Sequence, residues 1–151
     1  MEPATTIRRI APDDIPQVVD ACAWLFAPPG SRPVRWDPTA AATRLERLCI
    51  AGDATAYVAV YQGALVGFCT VYLDVDTIRM GQRAWLNELA VEPNHRGRGL
   101  GRRLLNQAID WARDHGATYL VLDSSVARPE AHRFYRRAQP SFEAACFGWI
   151  F

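Results

Sequence analysis

The sequence predicts an α/β domain (an α+β mixed sheet with helices on both faces) in the element order β-α-α-β-β-β-α-β-α-β. In the second half of the chain, Leu100, Leu104, Leu105, Ala108, Ile109, Trp111 and Ala112 form one apolar helical face between two apolar, strand-like runs. Strand, helix and strand within about 40 residues require a parallel pair joined by a right-handed crossover. Upstream, two β-branched and aromatic runs flank Gln62-Gly63, a tight-turn signal, so an antiparallel hairpin joins the same sheet. Area scaling for a chain of 151 residues leaves roughly 7,700 Å² exposed of the roughly 24,500 Å² of the unfolded state. Residues 1–151 are therefore expected to form a single domain.

Taken in order, Thr5 to Ile10 alternates loosely and is short, as an edge strand would be. Asp13 and Asp14 offer an N-cap before Ile15, Val18, Val19, Cys22, Leu25 and Phe26, whose spacing predicts a helix over about 13–26. Ala27 to Asp37 carries three prolines and a glycine and reads as loop. Asp37 and Pro38 then cap a second helix running to about Ile50, with Leu45, Leu48 and Cys49 inward. Strands are predicted at Ala54 to Tyr61, Ala64 to Asp74 and Ala84 to Val91, with Val75 to Gln82 as a polar connection. After the amphipathic helix, stopped by Gly116, Ala117 to Asp123 reads as a strand buried on both faces. A helix over about Pro129 to Ala138 and a last strand over about Phe142 to Phe151 complete the order.

Composition excludes several classes. Half the residues are hydrophobic and 22% are charged, which rules out a disordered tail, a collagen or a coiled coil. The net charge of +1 gives no electrostatic footprint for nucleic acid or for an anionic membrane. All 17 basic residues are Arg, so a Schiff-base lysine and a phosphate-loop lysine are excluded. No apolar run reaches the ~20 residues of a membrane span, and Met1 to Ile10 lacks a signal pattern, so a cytoplasmic protein is expected. Cys22, Cys49, Cys69 and Cys146 lie far apart among apolar neighbours and are expected as reduced core residues. His95, His115 and His132 are dispersed, which fits solvated or capping roles and no metal site.

His95-Arg96-Gly97-Arg98-Gly99-Leu100-Gly101 joins a strand to the crossover helix. Unpaired amides at a helix start, the helix dipole and glycines that admit a ligand to the backbone make a diphosphate cradle. Arg96, Arg98, Arg102 and Arg103 add charge. A Walker loop is excluded by the missing lysine. A dinucleotide fingerprint starting at Gly97 would need its third glycine at Arg102, although Asp123 stands about where a ribose-binding acid belongs.

Leu89-Ala90-Val91-Glu92-Pro93, then Arg96-Gly97-Arg98-Gly99-Leu100-Gly101 and Leu104-Leu105, resembles the signature of the GNAT superfamily of acyl-CoA-dependent N-acetyltransferases. Its Arg/Gln-x-x-Gly-x-Gly/Ala core is met by Arg96, Gly99 and Gly101, and Ala131-His132-Arg133-Phe134-Tyr135 is similar to the family's Ala-x-x-Phe-Tyr element. The resemblance covers nearly the whole chain. It implies a GNAT-like fold whose parallel strands splay to hold acetyl-CoA. Backbone groups of Leu89, Ala90 and Val91 would pair with pantetheine, and amides from Gly97 to Arg102 would hold the pyrophosphate. The chain departs from the family after Tyr135, where the usual Gly-Phe pair is absent, so a sixth strand is expected to be short or missing. Arg128 stands at the family's frequent Asn, altering a pantetheine contact.

Acetyl transfer needs a neutral amine, and one with a pKa of ~10.4 costs roughly 4 kcal/mol to deprotonate near pH 7.4. The site therefore needs a carboxylate base and a weak acid for the departing thiolate. The resemblance implies Tyr135 as that acid, against an alternative of aromatic packing. Glu88, a charge in an otherwise apolar run, is the candidate base, against a structural pair with Arg83 or Arg128. Asp123 is the reserve base, and Asn87 a candidate to position water. Trp24, Phe26, Trp36, Tyr72 and Trp85 lie in segments that line the acceptor side in GNAT-like folds. The expected reaction is direct transfer in a ternary complex to a primary amine of a small molecule. The alternatives are acetylation of a protein N-terminus, or a non-catalytic acyl-CoA sensor or interaction module. Phe147-Gly148-Trp149-Ile150-Phe151 is a segment that would pair across a homodimer.

Overall fold

The computed structural model describes residues 4–151. Strands β1 (Thr6–Arg9), β2 (Ala54–Tyr61), β3 (Ala64–Thr77), β4 (Gly81–Val91) and β5 (Tyr119–Val121) lie side by side in that order. All neighbours are antiparallel except β4 and β5, which run parallel as the crossover requires. The β2–β3 turn places Gln62 at φ 49° and Gly63 at φ 78°, two positive values whose twist matches the flanking strands.

The β3–β4 hairpin is longer than the sequence suggests. Most of the expected connection Val75 to Gln82 is strand, with Asp76 opposite Gln82 and Thr77 opposite Gly81. Its polar residues are cross-strand partners rather than loop: the Thr77 hydroxyl donates to the Gly81 carbonyl at 3.0 Å, and the residues flanking the stretch close it, Arg83 gripping Asp74 at 2.5 Å.

The first expected helix is three short pieces. A single 3-10 turn, Pro12–Asp14, leads into α1 (Ile15–Ala21), which breaks at Cys22 before α2 (Ala23–Phe26). Asp14 is buried, and its carboxylate accepts the Ala11 N–H at 2.7 Å while Arg8 holds both oxygens at 2.7 and 2.8 Å. Helix α3 (Pro38–Ile50) starts as its sequence indicates: Asp37 accepts the N–H groups of Thr39 at 2.9 Å and Ala40 at 3.4 Å, with Pro38 in the first turn. Helices α4 (Leu100–Asp114) and α5 (Pro129–Arg137) follow.

The sheet separates two cores. Leu100, Leu104, Leu105, Ala108 and Trp111 of α4 pack on Val66, Cys69, Val71, Ala84 and Leu86. On the opposite face, Ile15, Val18 and Ala21 of α1 and Leu45 of α3 meet Ala56, Val58, Phe68 and Ala90. Each fully buried Leu or Phe here contributes about 1.5–3 kcal/mol relative to exposure. Residues 119–123 are half-buried or exposed rather than buried on both faces, because β5 is an edge strand.

The expected last strand does not form. Residues 139–151 are exposed and carry no regular secondary structure, so the sixth strand is missing among the described residues. Cys69 is buried and Cys22 and Cys49 partly so, but Cys146 is exposed in this segment, against the expectation of a core residue.

Candidate active site

Strand β4 has β3 along one side, but β5 accompanies it only at Arg83–Trp85, opposite Tyr119–Val121. From Leu86 to Val91 its other edge has no strand beside it among the described residues, so a slot opens between the parallel strands. The register on the β3 side steps from Val71 opposite Leu86 to Cys69 opposite Leu89, leaving Asn87 and Glu88 both facing Thr70. That is a bulge. Ala84 and Leu86 belong to the α4 core before it and Leu89 and Val91 lie against that core after it, while Ala90 joins the α1–α3 core. With side chains alternating along a strand, Glu88 therefore faces the side of Ala90 instead of the α4 core.

There the Thr70 hydroxyl accepts the Glu88 N–H at 3.1 Å and donates to Oε2 of the same residue, while Asn87 Nδ2 donates to Oε1 at 2.5 Å. Burial pushes the carboxyl pKa above its ordinary value, and the bonds from Thr70 and Asn87 offset only part of that shift. Glu88 makes no ion pair among the described residues. Arg83 pairs with Asp74, and Arg128 donates to the Leu25 carbonyl at 2.8 Å, so the structural pairing considered for Glu88 is absent.

Beyond β4, a short 3-10 turn, Pro93–His95, leads to the glycines. Gly97 at φ 76° and Gly99 at φ 78° occupy the left-handed region, and Gly99 is the N-cap of α4 with no side-chain cap. The first bond into the helix is Arg103 N–H to the Gly99 carbonyl, at 3.1 Å. From Gly97 to Arg102 no backbone N–H has a protein acceptor among the described residues. A Cβ on Gly97 or Gly99 would meet nothing within 4 Å, whereas one on Gly101 would touch the Phe134 ring at 3.4 Å. Arg96 turns back and donates Nε to the Val91 carbonyl at 3.1 Å, tying the turn to the free end of β4. The strand edge and the amide run thus meet at one place, with the polarity and room a pyrophosphate and an extended amide arm need.

Residues 19–139 match the acetyltransferase (GNAT) family. The chain belongs to that family. GNAT enzymes take their acyl group from CoA, and the mixed sheet with its parallel pair has their architecture. An uncharacterized N-acetyltransferase of Bacillus subtilis (strain 168) is 33% identical over 95 residues, 62% of this chain and 67% of that one. An aminoglycoside N(6')-acetyltransferase type 1 of Stenotrophomonas maltophilia is 32% identical over 136 residues, 88% of this chain and 84% of its own length. The chain spans 43% of streptothricin acetyltransferase from Streptomyces lavendulae, which is 37% identical over 86 residues. A solved aminoglycoside N-acetyltransferase in complex with CoA shares the fold at a TM-score of 0.84, with 17% identity, over 99% of this chain and 97% of its own.

The remaining expected site residues of this GNAT chain lie as follows. Tyr135, on α5, is half-buried with its ring edge-on to Phe134 at 5.1 Å. Burial raises its hydroxyl pKa, Arg128 opposing and Asp123 adding to the shift. Asp123 is exposed just past β5, where the Cys146 thiol donates to it at 3.4 Å. Arg98 and Arg102 are exposed, the latter reaching Asn106 at 3.2 Å. Gly30 lies so close to the Leu25 carbonyl and the Arg128 guanidinium that any Cβ would collide with both. His95 stands 2.6 Å from Glu92 and against the Tyr61 ring, His115 meets the Trp111 carbonyl at 2.8 Å, and Phe26 packs edge-on against Trp36 at 4.8 Å. Sequence reasoning missed Thr70. Its only trace was a hydroxyl in the apolar run Gly67-Phe68-Cys69-Thr70-Val71.

Proposed function

We propose that this chain transfers an acetyl group from acetyl-CoA to a primary amine of a small molecule, by direct attack in a ternary complex. The observation that carries the reading is the run of unpartnered N–H groups from Gly97 to Arg102 at the start of α4, beside the free edge of β4. Those amides, with the helix dipole, hold the pyrophosphate, and the backbone of Leu89, Ala90 and Val91 pairs with the pantetheine arm as an added strand would. Arg98 and Arg102 screen the phosphate charge from solvent, and Leu100 and Gly101 seat the helix start on the core and on Phe134.

In the acyl-transfer step Glu88 takes the proton of the incoming ammonium, directly or through water held by Asn87. Its raised pKa makes it a stronger base than an ordinary carboxylate, which lowers the cost of freeing the amine. The Val91 N–H faces the charge that builds on the thioester oxygen. As the nitrogen–carbon bond forms and the carbon–sulfur bond breaks, Tyr135 gives its proton to the sulfur, so CoA leaves as the thiol, and the second proton of the attacking nitrogen passes through water to the tyrosinate and restores the hydroxyl. Asp123, just past β5, is the reserve base, and Arg128 holds the Leu25 carbonyl of α2 beside Gly30.

The small-molecule acceptor is supported by the relative from Stenotrophomonas maltophilia, which is named for aminoglycosides and aligns over most of this chain. A net charge of +1 also disfavours tRNA as the acceptor. The test is thiol release from acetyl-CoA with a panel of polyamines, aminoglycosides and N-terminal peptides. Turnover with small polyamines or aminoglycosides but not with peptides is the expected result. Turnover with peptides alone would replace the acceptor class, and CoA binding without turnover on any amine would make the protein a sensor.

A further inference from the structure

Arg128 stands where the family frequently has an Asn, at the N-cap of α5. It is half-buried and pairs with no carboxylate among the described residues. Its guanidinium crosses instead to α2, where Nη2 donates to the Leu25 carbonyl at 2.8 Å. The sequence makes that carbonyl available. In a continuing helix it would accept from residue 28 or 29, and Pro28 and Pro29 have no N–H to give. Gly30 completes the fit. Its N–H closes a turn onto the Ala27 carbonyl at 2.8 Å, and a Cβ there would overlap both the Leu25 oxygen and the guanidinium.

The segment after α2 needs such a hold. From Ala27 to Arg35 every residue except Gly30 is exposed, and the main-chain bond from Trp36 to the Pro33 carbonyl is as local as that of Gly30. Among the described residues, the Arg128 bond is the only hydrogen bond from residues 23–36 to a distant part of the chain. Phe26 adjoins Leu25 and carries the Trp36 ring, so what fixes Leu25 also fixes this aromatic pair.

Helix α2 lies against β4, on the face of the sheet to which Glu88 turns. Burial, and after it the charge of Glu88, push the Cys22 thiol up, so the start of α2 is close to the proposed base. Arg128 opposes the rise that burial imposes on the Tyr135 hydroxyl, so the guanidinium is close to the proposed acid. An amine that gives its proton to Glu88 and attacks a thioester whose sulfur meets Tyr135 has to lie between α2 and α5. Arg128 joins those two elements.

We propose that Arg128 is a positioning residue for the amine acceptor: it fastens α2 and residues 27–36 to α5, and so fixes Phe26 and Trp36 as one wall of the acceptor site. Gly30 is its counterpart, leaving the space the guanidinium occupies. This role rests on the acetyl transfer proposed for the slot, and it assigns the side chain at 128 to the acceptor rather than to CoA.

The test compares the full chain with Arg128→Met, Gly30→Ala and the double variant. The readouts are acetyl transfer to spermidine and to an aminoglycoside, calorimetry with acetyl-CoA, and backbone hydrogen exchange over residues 25–36 of the free protein. Methionine keeps the apolar stem and removes the donor, and alanine at 30 fits only if the loop moves off the guanidinium. Each single variant should raise the KM for the amine about tenfold and speed exchange over 25–36 about tenfold, with kcat and acetyl-CoA affinity within about threefold of the parent. The double variant should lose no more than either single one, because both break the same contact. Losses that multiply in the double variant, unchanged exchange, or a fall in acetyl-CoA affinity with the amine KM intact would each overturn the proposal while leaving the parent's activity in place. A parent that acetylates neither amine would overturn the acceptor role together with the proposed function. If Gly30→Ala fails to fold, Arg128→Met alone carries the comparison of KM, affinity and exchange.

Discussion

The hydroxyl of Thr70 holds Glu88 twice, accepting its main-chain N–H and donating to its carboxylate. Only a bulge brings this about, since regular pairing would set Thr70 opposite a single residue and turn Glu88 toward the α4 core. The bond to the carboxylate favours the ionised form, so Thr70 limits how far burial raises the Glu88 pKa. Thr70→Val should move the acid limb of the kcat/KM profile to higher pH and lower the rate at neutral pH about tenfold, with recovery at alkaline pH. Thr70→Ser should restore the profile. Loss of rate equal at every pH would show that the residue acts only through packing.

Glu88→Gln should separate catalysis from stability. Removing the proposed base should lower kcat about 100-fold with little change in the KM for acetyl-CoA. A carboxyl whose folded pKa is raised binds its proton more tightly in the native state, so its contribution is fullest below the unfolded pKa. That contribution is lost as pH rises through the raised value. Gln carries no such loss, and the variant's Tm should equal or exceed the parent's near neutral pH. A Tm lower by several degrees would mean that Glu88 is structural.

Arg8 and Asp14 give the opposite sign. The Arg8 guanidinium bonds hold the Asp14 carboxyl below its ordinary pKa, so the pair's contribution is complete above the unfolded value and lost as pH falls through the lowered one. Arg8→Ala should cost about 1 kcal/mol at neutral pH, the half-exposed arginine leaving the pair partly screened. Thermal melts at falling pH should show the gap between variant and parent closing. A gap independent of pH would assign the effect to the arginine's stem.

At the glycine turn, position decides the effect. Gly99 sits at φ 78°, where an L side chain costs about 1–2 kcal/mol, so Gly99→Ala should distort the amide run and weaken CoA binding about tenfold by calorimetry. Gly101 has ordinary helical backbone, and a methyl there meets Phe134 at normal contact distance. Gly101→Ala should bind CoA nearly as the parent does. Equal losses at both positions would argue against the amides as the phosphate ligands.

What the sequence disclosed follows the range of the interactions. The Asp37 cap, the Gln62-Gly63 turn, the apolar face of α4 and the glycines before it are local patterns, and each element stands where its pattern puts it. Glu88 was visible only as a charge out of place. Its partner was not, because the pairing of Thr70 with Asn87 and Glu88 depends on a register shift between strands that no local pattern records. The polar stretch Val75 to Gln82 misled for the same reason, since Asp76 stands opposite Gln82 and Thr77 opposite Gly81 across a hairpin, with Asp74 and Arg83 paired just outside. Phe142 to Phe151 has the composition of a strand, but it pairs with no strand among the described residues and stays exposed.

Tyr135 tests the other half of the reaction. Its half-buried ring packs on Phe134, and burial raises the hydroxyl pKa, so the group stays protonated through neutral pH and is ready to donate. Tyr135→Phe keeps the ring and its packing while removing the proton. Stability should therefore be unchanged, and kcat should fall about 10- to 100-fold at equal acetyl-CoA affinity. An acyl donor whose thiol is more acidic than CoA needs no proton to leave, so with an activated thioester the variant should regain most of the lost rate. The ratio of parent to variant rates on the two donors reads this directly. If the deficit is the same with both, the hydroxyl does not protonate the sulfur, and the aromatic ring on α5 serves the core alone.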